Sequence, residues 1–370
     1  MSSLSPHGSA SVLRVDLGER SYQVHVGAGL LARAGDLIAR ATASSRVFII
    51  TNPIVDRLHG DNLRRGLIGA STETILVPAG ERQKSLRRAA LLYDRLLESG
   101  ADRHSVIVAF GGGVIGDLAG FVAATYMRGV PYVQAPSTLL AQVDASVGGK
   151  VAVDHPRAKN LIGAFYQPCV VIADADVLQT LPAREYRSGM AEVIKHAAIA
   201  DAELFEWLRL NANAVAAREP AAVAYMVQRN CEIKANVVRQ DERESGMRAV
   251  LNFGHTVGHA LEALGGYRAF RHGEAVAVGM VAAARVSVAT GRLSSGEADE
   301  IERLLELYRL PRRIPGFSVA QILTAMRADK KAATGAPRFV LPLALGRAEF
   351  GAEAPEDAVA RVLADLGAIP

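Results

Sequence analysis

The chain has 370 residues, of which 50% are hydrophobic and 22% charged, a balance typical of a soluble globular protein with two domains. A formal net charge of only +4, with no run of five like charges, argues against nucleic acid as a partner. No apolar run reaches the roughly 18 residues of a membrane helix, and the N-terminus lacks a signal-peptide pattern, so we expect a cytoplasmic protein with no membrane partner.

The first half of the chain alternates predicted strands and helices. Residues 11–26 predict a β-hairpin that turns at Leu17-Gly18-Glu19-Arg20, and residues 84–99 predict a helix. Further strands are predicted at 46–52, 72–78, 105–110, 132–135 and 169–173. This alternation predicts an N-terminal Rossmann-like α/β domain with a largely parallel sheet, over residues 1–180.

The second half reads as a mainly α-helical domain, over residues 181–370. One small hairpin is predicted near 338–342. Helical patterns cover 186–235, 255–265, 273–291, 296–308 and 318–330. We expect the active site in the interdomain cleft, where ligands are commonly bound, and we expect both cysteines to be reduced thiols.

The glycine-rich run 111–117 follows a predicted strand and opens a predicted helix. Gly111, Gly113 and Gly116 have the dinucleotide-binding spacing, in which backbone amides can approach a pyrophosphate. No acidic residue follows about twenty positions later, and the run is not in the first strand–helix unit. The pattern favours phosphate or nucleotide binding, with a simple tight turn as the alternative.

Several polar segments have one functional and one plain interpretation. Asn52 could meet a ribose or cap a turn. Glu81 and Lys84 could bind ribose and phosphate or form a capping pair. The segment Asp144–Lys150, together with Lys159, suits an anionic substrate, with a surface loop as the alternative.

His255, His259 and His272 fall within eighteen residues of a chain with nine histidines. On a helix His255 and His259 share a face. Thr256 stands where a zinc protease needs Glu, so that chemistry is disfavoured. The cluster is either a divalent-metal site, which uses three protein ligands at a catalytic centre, or a set of hydrogen-bonded histidines.

Charged residues around the histidines extend the candidate site. Glu192 could supply a third metal ligand, or simply pair with Lys195 one helical turn later. Lys234, Arg248 and Asn252 precede the histidines and could hold a carboxylate.

In their order, these segments resemble the 3-dehydroquinate synthase family. The matching stretches are 80–84, 111–121, 142–150, 159–168, 189–195, 251–259, 272–275 and 329–331. The resemblance implies bound NAD, one zinc or cobalt ion and a homodimer. It also implies conversion of an anionic sugar phosphate, 3-deoxy-D-arabino-heptulosonate 7-phosphate, to 3-dehydroquinate and phosphate in the shikimate pathway. Transient oxidation, β-elimination, reduction and intramolecular aldol closure would make this a phosphate-eliminating carbon–oxygen lyase.

The resemblance also assigns residues. It implies metal ligation by Glu192, His255 and His272. It implies NAD contacts at Asn52, Glu81, Lys84, Gly112, Gly113, Val114, Gly116, Asp117, Ser137, Thr138, Lys150, Lys159, Val177, Leu178 and Thr180. It implies substrate contacts at Arg128 (offered across a dimer interface), Asp144, Lys150, Lys159, Asn160, Lys195, Lys234, Arg248, Asn252, His259 and Lys330 or Lys331. Within this set the catalytic residues would be Asp144, Lys150, Lys195, Arg248, Asn252 and His259.

Two other enzyme classes share these features. A different NAD- and metal-dependent sugar phosphate cyclase would act on sedoheptulose 7-phosphate or glucose 6-phosphate. Those substrates lack the carboxylate for which Lys234, Arg248 and Asn252 are suited. A metal-dependent alcohol dehydrogenase of the glycerol dehydrogenase type would act on a neutral alcohol, which gives no role to Lys150 and Lys159.

Overall fold

The computed structural model describes residues 10–44, 46–328 and 337–370. The chain divides into two compact units. The first unit runs to Pro182 and also includes Arg218–Arg239, and the second contains Ala183–Ala217 and Gln240–Pro370. Within the described ranges, no helix combines the length and the hydropathy needed to cross a membrane.

Strands and helices alternate through the first unit, and helices predominate in the second. The strands are β1 (Ser11–Val15), β2 (Tyr22–Gly27), β3 (Arg46–Thr51), β4 (Ser71–Leu76), β5 (Val106–Gly111), β6 (Tyr132–Pro136), β7 (Lys150–His155), β8 (Ala158–Phe165), β9 (Val170–Asp174), β10 (Phe339–Ala344) and β11 (Arg347–Ala352). The helices are α1 (Ala34–Ala41), α2 (Pro53–Val55), α3 (Asp61–Gly66), α4 (Leu86–Glu98), α5 (Gly113–Thr125), α6 (Ala183–Ala200), α7 (Ala202–Leu210), α8 (Ala212–Ala216), α9 (Pro220–Gln240), α10 (His255–Leu264), α11 (His272–Ala289), α12 (Ser295–Leu307), α13 (Val319–Ala328) and α14 (Glu356–Asp365).

The first unit is built on a seven-stranded sheet in the order β1-β2-β9-β6-β5-β3-β4. All neighbouring pairs are parallel except β1 and β2, which form the predicted antiparallel hairpin. Strands β5, β6 and β9 are buried throughout. Continuous apolar runs without polar alternation are expected in a parallel sheet whose two faces are both covered. The predicted α/β class is confirmed.

The strand order reverses between β3 and β5. From β3 the chain adds β4 on one side and then crosses to place β5 on the other. Ligands of open parallel sheets bind outside the carboxyl ends of the strands at such a reversal. Asn52 directly follows β3, and Gly111 ends β5. The glycine-rich run therefore lies at the position where this topology favours a ligand, although it is not in the first strand–helix unit.

The hairpin of β7 and β8 was not predicted. Val151 and Val153 of β7 are buried, but β8 exposes most of its residues. Because β8 shows no apolar–polar alternation, its sequence resembles a glycine-rich loop. The long helical pattern at 186–235 is divided among α6, α7, α8 and α9, and helices α1 to α3 and α14 were also not predicted.

The second unit is mainly helical and contains the predicted small hairpin, formed by β10 and β11. Helix α11 is largely buried, as is α6, and is rich in small residues. A Cβ added to Gly273 would lie 1.9 Å from the Ser188 carbonyl oxygen of α6. A Cβ added to Gly279 would lie 1.9 Å from the Gly254 carbonyl oxygen, at the start of α10. Helix α11 therefore packs with its backbone against both neighbours.

We predict that Gly279→Ala lowers the free energy of unfolding by at least about 2 kcal/mol, because one methyl group must separate two backbones. Gly296→Ala is the matched control, since a Cβ at this position on α12 meets nothing within 4 Å. That variant should lie within about 0.5 kcal/mol of wild type or be more stable. Urea denaturation of both variants measures the difference. Equal midpoints would show that the close approach of Gly279 to Gly254 does not affect stability.

Candidate active site

Three helices of the second unit bring one candidate ligand each to a single place. Glu192 lies in α6, while His255 and His272 are the first residues of α10 and α11. Glu192 Oε1 is 3.8 Å from His255 Nε2 and 3.5 Å from His272 Nε2. A ligand atom from each of the three side chains lies within 4.8 Å of the other two. The packing of α11 against α6 and α10 makes this convergence possible.

The Glu192 carboxylate is fully buried, with an exposed fraction of 0%. Neither of its oxygen atoms accepts a hydrogen bond of ordinary geometry from a described residue. The Lys195 ammonium contacts Oε2. Burial disfavours the charged form, but Lys195, His272 and His255 outweigh it and hold the pKa of Glu192 well below its ordinary value. The site therefore contains a buried anion with unused acceptor capacity.

Both histidines are oriented through their Nδ1 atoms. His255 Nδ1 lies 3.1 Å from the Phe253 carbonyl oxygen, and His272 Nδ1 lies 3.3 Å from Glu262 Oε2. Nε2 of each ring is then the atom that faces Glu192. A partner on one ring nitrogen fixes the tautomer and leaves the other nitrogen as the metal ligand.

The two imidazoles have opposite pKa shifts. Burial and the charge of Lys195 hold the pKa of His255 well below its ordinary value. Burial also disfavours charge on His272, but the nearby carboxylates of Glu192 and Glu262 prevail and raise its pKa to about 10. The two rings therefore differ in how strongly their surroundings favour a proton beside the Glu192 carboxylate. A divalent cation, which binds neutral imidazole, would compete with a proton on His272.

This donor set fits a divalent metal. Two imidazole nitrogens and one carboxylate are a known three-ligand set for catalytic zinc, which leaves a fourth position for substrate. The unused acceptor capacity of Glu192 is what a bound cation would satisfy.

Side chains that the sequence analysis did not identify support this cluster. Glu262 lies three residues after His259 and seven after His255, so it shares their helix face. Ser188 Oγ accepts a hydrogen bond of 3.0 Å from the Gly273 amide. Arg184 makes a bidentate pair with Glu274, at 2.7 and 2.8 Å, which ties the start of α11 to α6. The i+7 spacing of Glu262 from His255 was the available signal.

His259 lies beside the ligand cluster. Its ring centroid is 5.1 Å from that of His255 and 6.4 Å from that of His272. It is not in the group of three converging ligand atoms. Lys195 is buried, with 2% of its side chain exposed, against Glu192. Both residues therefore adjoin the candidate metal position.

Arg248 lies in a 3-10 helix, Met247–Asn252, which Phe253 and Gly254 connect to the start of α10. The residue is 3% exposed. Its backbone amide donates to Asp241 Oδ2 at 3.0 Å, and its Nη1 donates to the Glu242 carbonyl oxygen at 2.7 Å. Asn252 ends the same 3-10 helix. The candidate carboxylate-binding arginine is thus a buried and oriented group.

In the first unit, the glycine run forms a tight strand–helix turn. Gly112 is the N-cap of α5, which leaves the first amides of the helix without intrahelical acceptors. A Cβ at Gly111 would lie 2.6 Å from Ile115, and one at Gly116 would lie 2.9 Å from Gln134 Oε1. A Cβ at Gly113 meets only Ala145, at 3.7 Å. Gly111 and Gly116 therefore serve packing, while Gly113 leaves the helix end open to an anion.

Lys84 is a buried ammonium that connects two predicted binding residues. Its Nζ contacts Asp117 Oδ2 and Asn160 Oδ1. Burial raises the pKa of Asp117, and the Lys84 charge opposes this shift. Asn160 has a left-handed backbone (φ 53°), and its amide donates to Asp154 Oδ1 at 2.8 Å. The capping-pair interpretation of Lys84 is therefore wrong.

The other predicted NAD positions are arranged around the carboxyl end of the sheet. Asn52 Oδ1 accepts from the Ile54 and Val55 amides, both at 3.0 Å, so it caps α2. Thr180 Oγ1 is 2.7 Å from His59 Nε2. The remaining positions lie as follows: Glu81 is 3.2 Å from Lys159; Val114 is in the first turn of α5; Ser137 and Thr138 follow β6; Val177 and Leu178 are buried in a 3-10 helix.

The predicted substrate residues of the first unit lie on several separate segments, with Lys159 and Asn160 in β8. Lys234 of α9 lies 2.5 Å from Asp144 Oδ1. Lys150 is the exposed first residue of β7. Arg128 has a left-handed backbone (φ 66°), as does Met127 before it, and is exposed. Lys330 and Lys331 lie outside the described residues.

Comparison with family models decides the relationship. Residues 74–188 match the model described as 3-dehydroquinate synthase N-terminal, and residues 189–332 match 3-dehydroquinate synthase C-terminal. The two matches are contiguous from residue 74 to residue 332. The chain belongs to the 3-dehydroquinate synthase family. Similar solved structures include other sugar phosphate cyclases, so the relationship identifies the enzyme family rather than one substrate.

Two cyclase structures show how far the similarity extends. ValA, a 2-epi-5-epi-valiolone synthase from Streptomyces hygroscopicus subsp. jinggangensis with NAD+ and Zn2+ bound, is 29% identical. The match covers 95% of this chain and 98% of that chain, with a TM-score of 0.86. A 2-deoxy-scyllo-inosose synthase complexed with carbaglucose-6-phosphate, NAD+ and Co2+ is 24% identical. The match covers 96% of this chain and 100% of that chain, with a TM-score of 0.87.

The fold is also shared with reductases. A sulfoacetaldehyde reductase from Bifidobacterium kashiwanohense, in complex with NAD+, is 15% identical over 94% of this chain and 97% of that chain, with a TM-score of 0.69. At this identity the likeness concerns the fold alone. An N-terminal Rossmann-like domain and a helical C-terminal domain are therefore common to the group.

We predict that Glu262→Gln weakens binding of zinc by about 10- to 100-fold, because a neutral amide orients His272 less firmly and makes it a poorer donor. Glu300→Gln, on the surface of α12, is the matched control and should bind zinc as wild type does. Competition with a chromophoric chelator measures both affinities. Equal affinities for all three proteins would remove Glu262 from the support of the site.

Proposed function

We propose that the protein is a 3-dehydroquinate synthase that converts 3-deoxy-D-arabino-heptulosonate 7-phosphate to 3-dehydroquinate and phosphate. The observation that carries this proposal is the buried, oriented guanidinium of Arg248, in the segment that leads into α10. A planar arginine fork is complementary to a carboxylate. Of the three sugar phosphates considered, the heptulosonate alone has that group.

We propose that NAD binds at the glycine-rich turn, and that Glu192, His255 and His272 hold one zinc or cobalt ion. Support comes from the open helix end at Gly113, the strand reversal beside it and the convergent donor set. When bound, the metal would supply Lewis-acid chemistry at a substrate hydroxyl, and NAD would take up and return a hydride, so the proposed reaction would have no net redox change.

The residues of the second unit would then place the reacting carbon. Lys195 lies against Glu192 and can donate a hydrogen bond to a hydroxyl there. Arg248 would bind the carboxylate in two parallel hydrogen bonds, with Asn252 donating from the same 3-10 helix. His259, adjacent to both ligand histidines, is placed to exchange a proton with the substrate.

The residues of the first unit would serve the nucleotide and the phosphate. We assign the phosphate to Lys150, Lys159 and Asn160. Because the side-chain oxygen of Asn160 holds Lys84, its Nδ2 is the half that would donate to a phosphate oxygen. Lys84 would thus connect the nucleotide residue Asp117 with a phosphate residue. Arg128, offered across a homodimer interface, would complete the set.

The alternative is that the protein is a different sugar phosphate cyclase, such as a valiolone synthase. It is favoured by the 29% identity with the valiolone synthase over nearly the whole chain. A requirement for NAD and a metal does not separate the two activities, because the valiolone synthase structure also has NAD+ and Zn2+ bound. The substrate carboxylate distinguishes the two activities, and Arg248 is the residue proposed to bind it.

The deciding experiment is incubation of the pure protein with NAD, zinc and each of three substrates: the heptulosonate phosphate, sedoheptulose 7-phosphate and glucose 6-phosphate. We predict phosphate release and dehydroquinate formation from the heptulosonate only, without accumulation of NADH. Arg248→Lys should lower kcat/KM about 100-fold, since one ammonium replaces a bidentate fork. Turnover of sedoheptulose 7-phosphate in preference to the heptulosonate would reject the proposal and favour the alternative.

We predict that Gly113→Ala raises the Kd for NAD at least about tenfold without lowering the melting temperature. The added methyl group has room in the protein but stands where the pyrophosphate must approach. Alanine also has the better helix propensity, by up to about 1 kcal/mol. Titration calorimetry and thermal denaturation measure the two effects. Gly116→Ala is the contrast, because its methyl group would meet Gln134 and should reduce stability.

A further inference from the structure

Asp241, the first residue after α9, accepts four hydrogen bonds from the loop that follows it. Oδ1 accepts from the Ser245 amide at 2.8 Å and the Ser245 hydroxyl at 3.0 Å. Oδ2 accepts from the amides of Gly246 at 2.8 Å and Arg248 at 3.0 Å. The residue is 8% exposed. Both oxygens of one carboxylate are thus used to hold residues 245–248.

The loop that Asp241 holds does not have a conformation that the backbone favours unaided. Glu244 has a left-handed backbone (φ 57°), which is uncommon for a residue other than glycine. Gly246 lies outside the helical region and caps the 3-10 helix Met247–Asn252. Such a conformation persists where surrounding contacts fix it. The Asp241 carboxylate supplies four of them.

The same short segment also orients the Arg248 side chain. The residue next to Asp241, Glu242, accepts from Arg248 Nη1 at 2.7 Å through its backbone carbonyl. The Arg248 amide and its guanidinium are therefore fixed by adjacent residues, 241 and 242. An arginine held at both ends loses less rotamer freedom when it binds an anion.

We propose that Asp241 is a positioning residue, which presets Arg248 to receive the carboxylate of the substrate. The inference rests on the proposed function for the identity of that substrate. It assigns to Asp241 no contact with substrate or metal. The hydrogen bonds from Arg248, Ser245 and Gly246 also hold the pKa of Asp241 well below its ordinary value, so the carboxylate is charged at neutral pH.

The test compares wild type with Asp241→Asn. A side-chain amide accepts hydrogen bonds only at its oxygen, so its NH2 group would face two donors. Two of the four hydrogen bonds that hold residues 245–248 would then be lost. We expect faster hydrogen exchange at the amides of Ser245, Gly246 and Arg248. We also expect KM for the heptulosonate phosphate to rise about tenfold or more, with kcat changed less than about threefold. Asp357→Asn, an exposed carboxylate paired with Arg361 on α14, is the matched control and should change neither quantity.

Two results would overturn the proposal: unchanged amide exchange in Asp241→Asn, or a fall in kcat at unchanged KM. If that variant does not fold, Ser245→Ala decides the question. This change removes one donor and keeps the carboxylate, and it should shift exchange and KM in the same directions by smaller factors. A folded Ser245→Ala protein with wild-type values for both would count against the role.

Failure of the proposed function would look different. Wild-type protein without turnover of the heptulosonate phosphate rejects that substrate, whatever the variants do. The exchange measurement needs no substrate, so it still shows whether Asp241 holds the loop and the arginine. Intact turnover with unchanged exchange in Asp241→Asn rejects the positioning role alone.

Discussion

A buried carboxylate is the constraint on which the second unit depends. Glu192 of α6 is fully buried, and an unpaired charge in the protein interior would be unfavourable by several kcal/mol. Lys195 contacts the carboxylate, and His255 and His272 bring imidazole nitrogens to 3.8 and 3.5 Å from it. Their arrangement requires three helices to meet at one point. Burial of this anion is unfavourable by itself, and the groups placed around it form a geometry that suits a bound cation.

The surrounding packing follows from that requirement. Helices can approach closely only where small residues face each other, and α11 presents Gly273 and Gly279 to its neighbours. Further groups then orient the candidate histidine ligands and the helix that carries one of them: Glu262 and the Phe253 backbone carbonyl at the histidines, and Ser188 and Arg184 at the start of α11. The candidate ligands, the groups that orient them and the close helix contacts are therefore interdependent. A substitution that moves α11 would also move His272 and the groups that orient it.

The sequence predicted the parts of this protein that depend on local patterns. Buried strands in the first unit and helices in the second follow from apolar periodicity, and the ordered motifs led to the correct family. The hairpin of β7 and β8 was missed because β8 is exposed and lacks alternation. Glu262 was missed because its partner His272 lies on a different helix, α11, so that its shared face with His255 did not by itself indicate a role. Asp241 was missed although its partners are only four to seven residues away, because three of them are backbone amides, which the residue types of a loop do not reveal.

The grouping of α9 with the first unit likewise follows from tertiary packing. Its sequence has the same helical pattern as that of its neighbours, so periodicity alone gives no reason to separate it. Lys84 is a similar case: its spacing from Glu81 suggests a local pair, but its partners Asp117 and Asn160 are 33 and 76 residues away.

The central claim is that Glu192, His255 and His272 hold one divalent cation. The most direct test is an anomalous diffraction measurement at the zinc edge, on crystals of the protein equilibrated with zinc. The account predicts a single strong peak about 2.0–2.2 Å from one Glu192 oxygen and from Nε2 of both histidines. A strong peak elsewhere, with these three side chains more than hydrogen-bond distance from any metal, would contradict it.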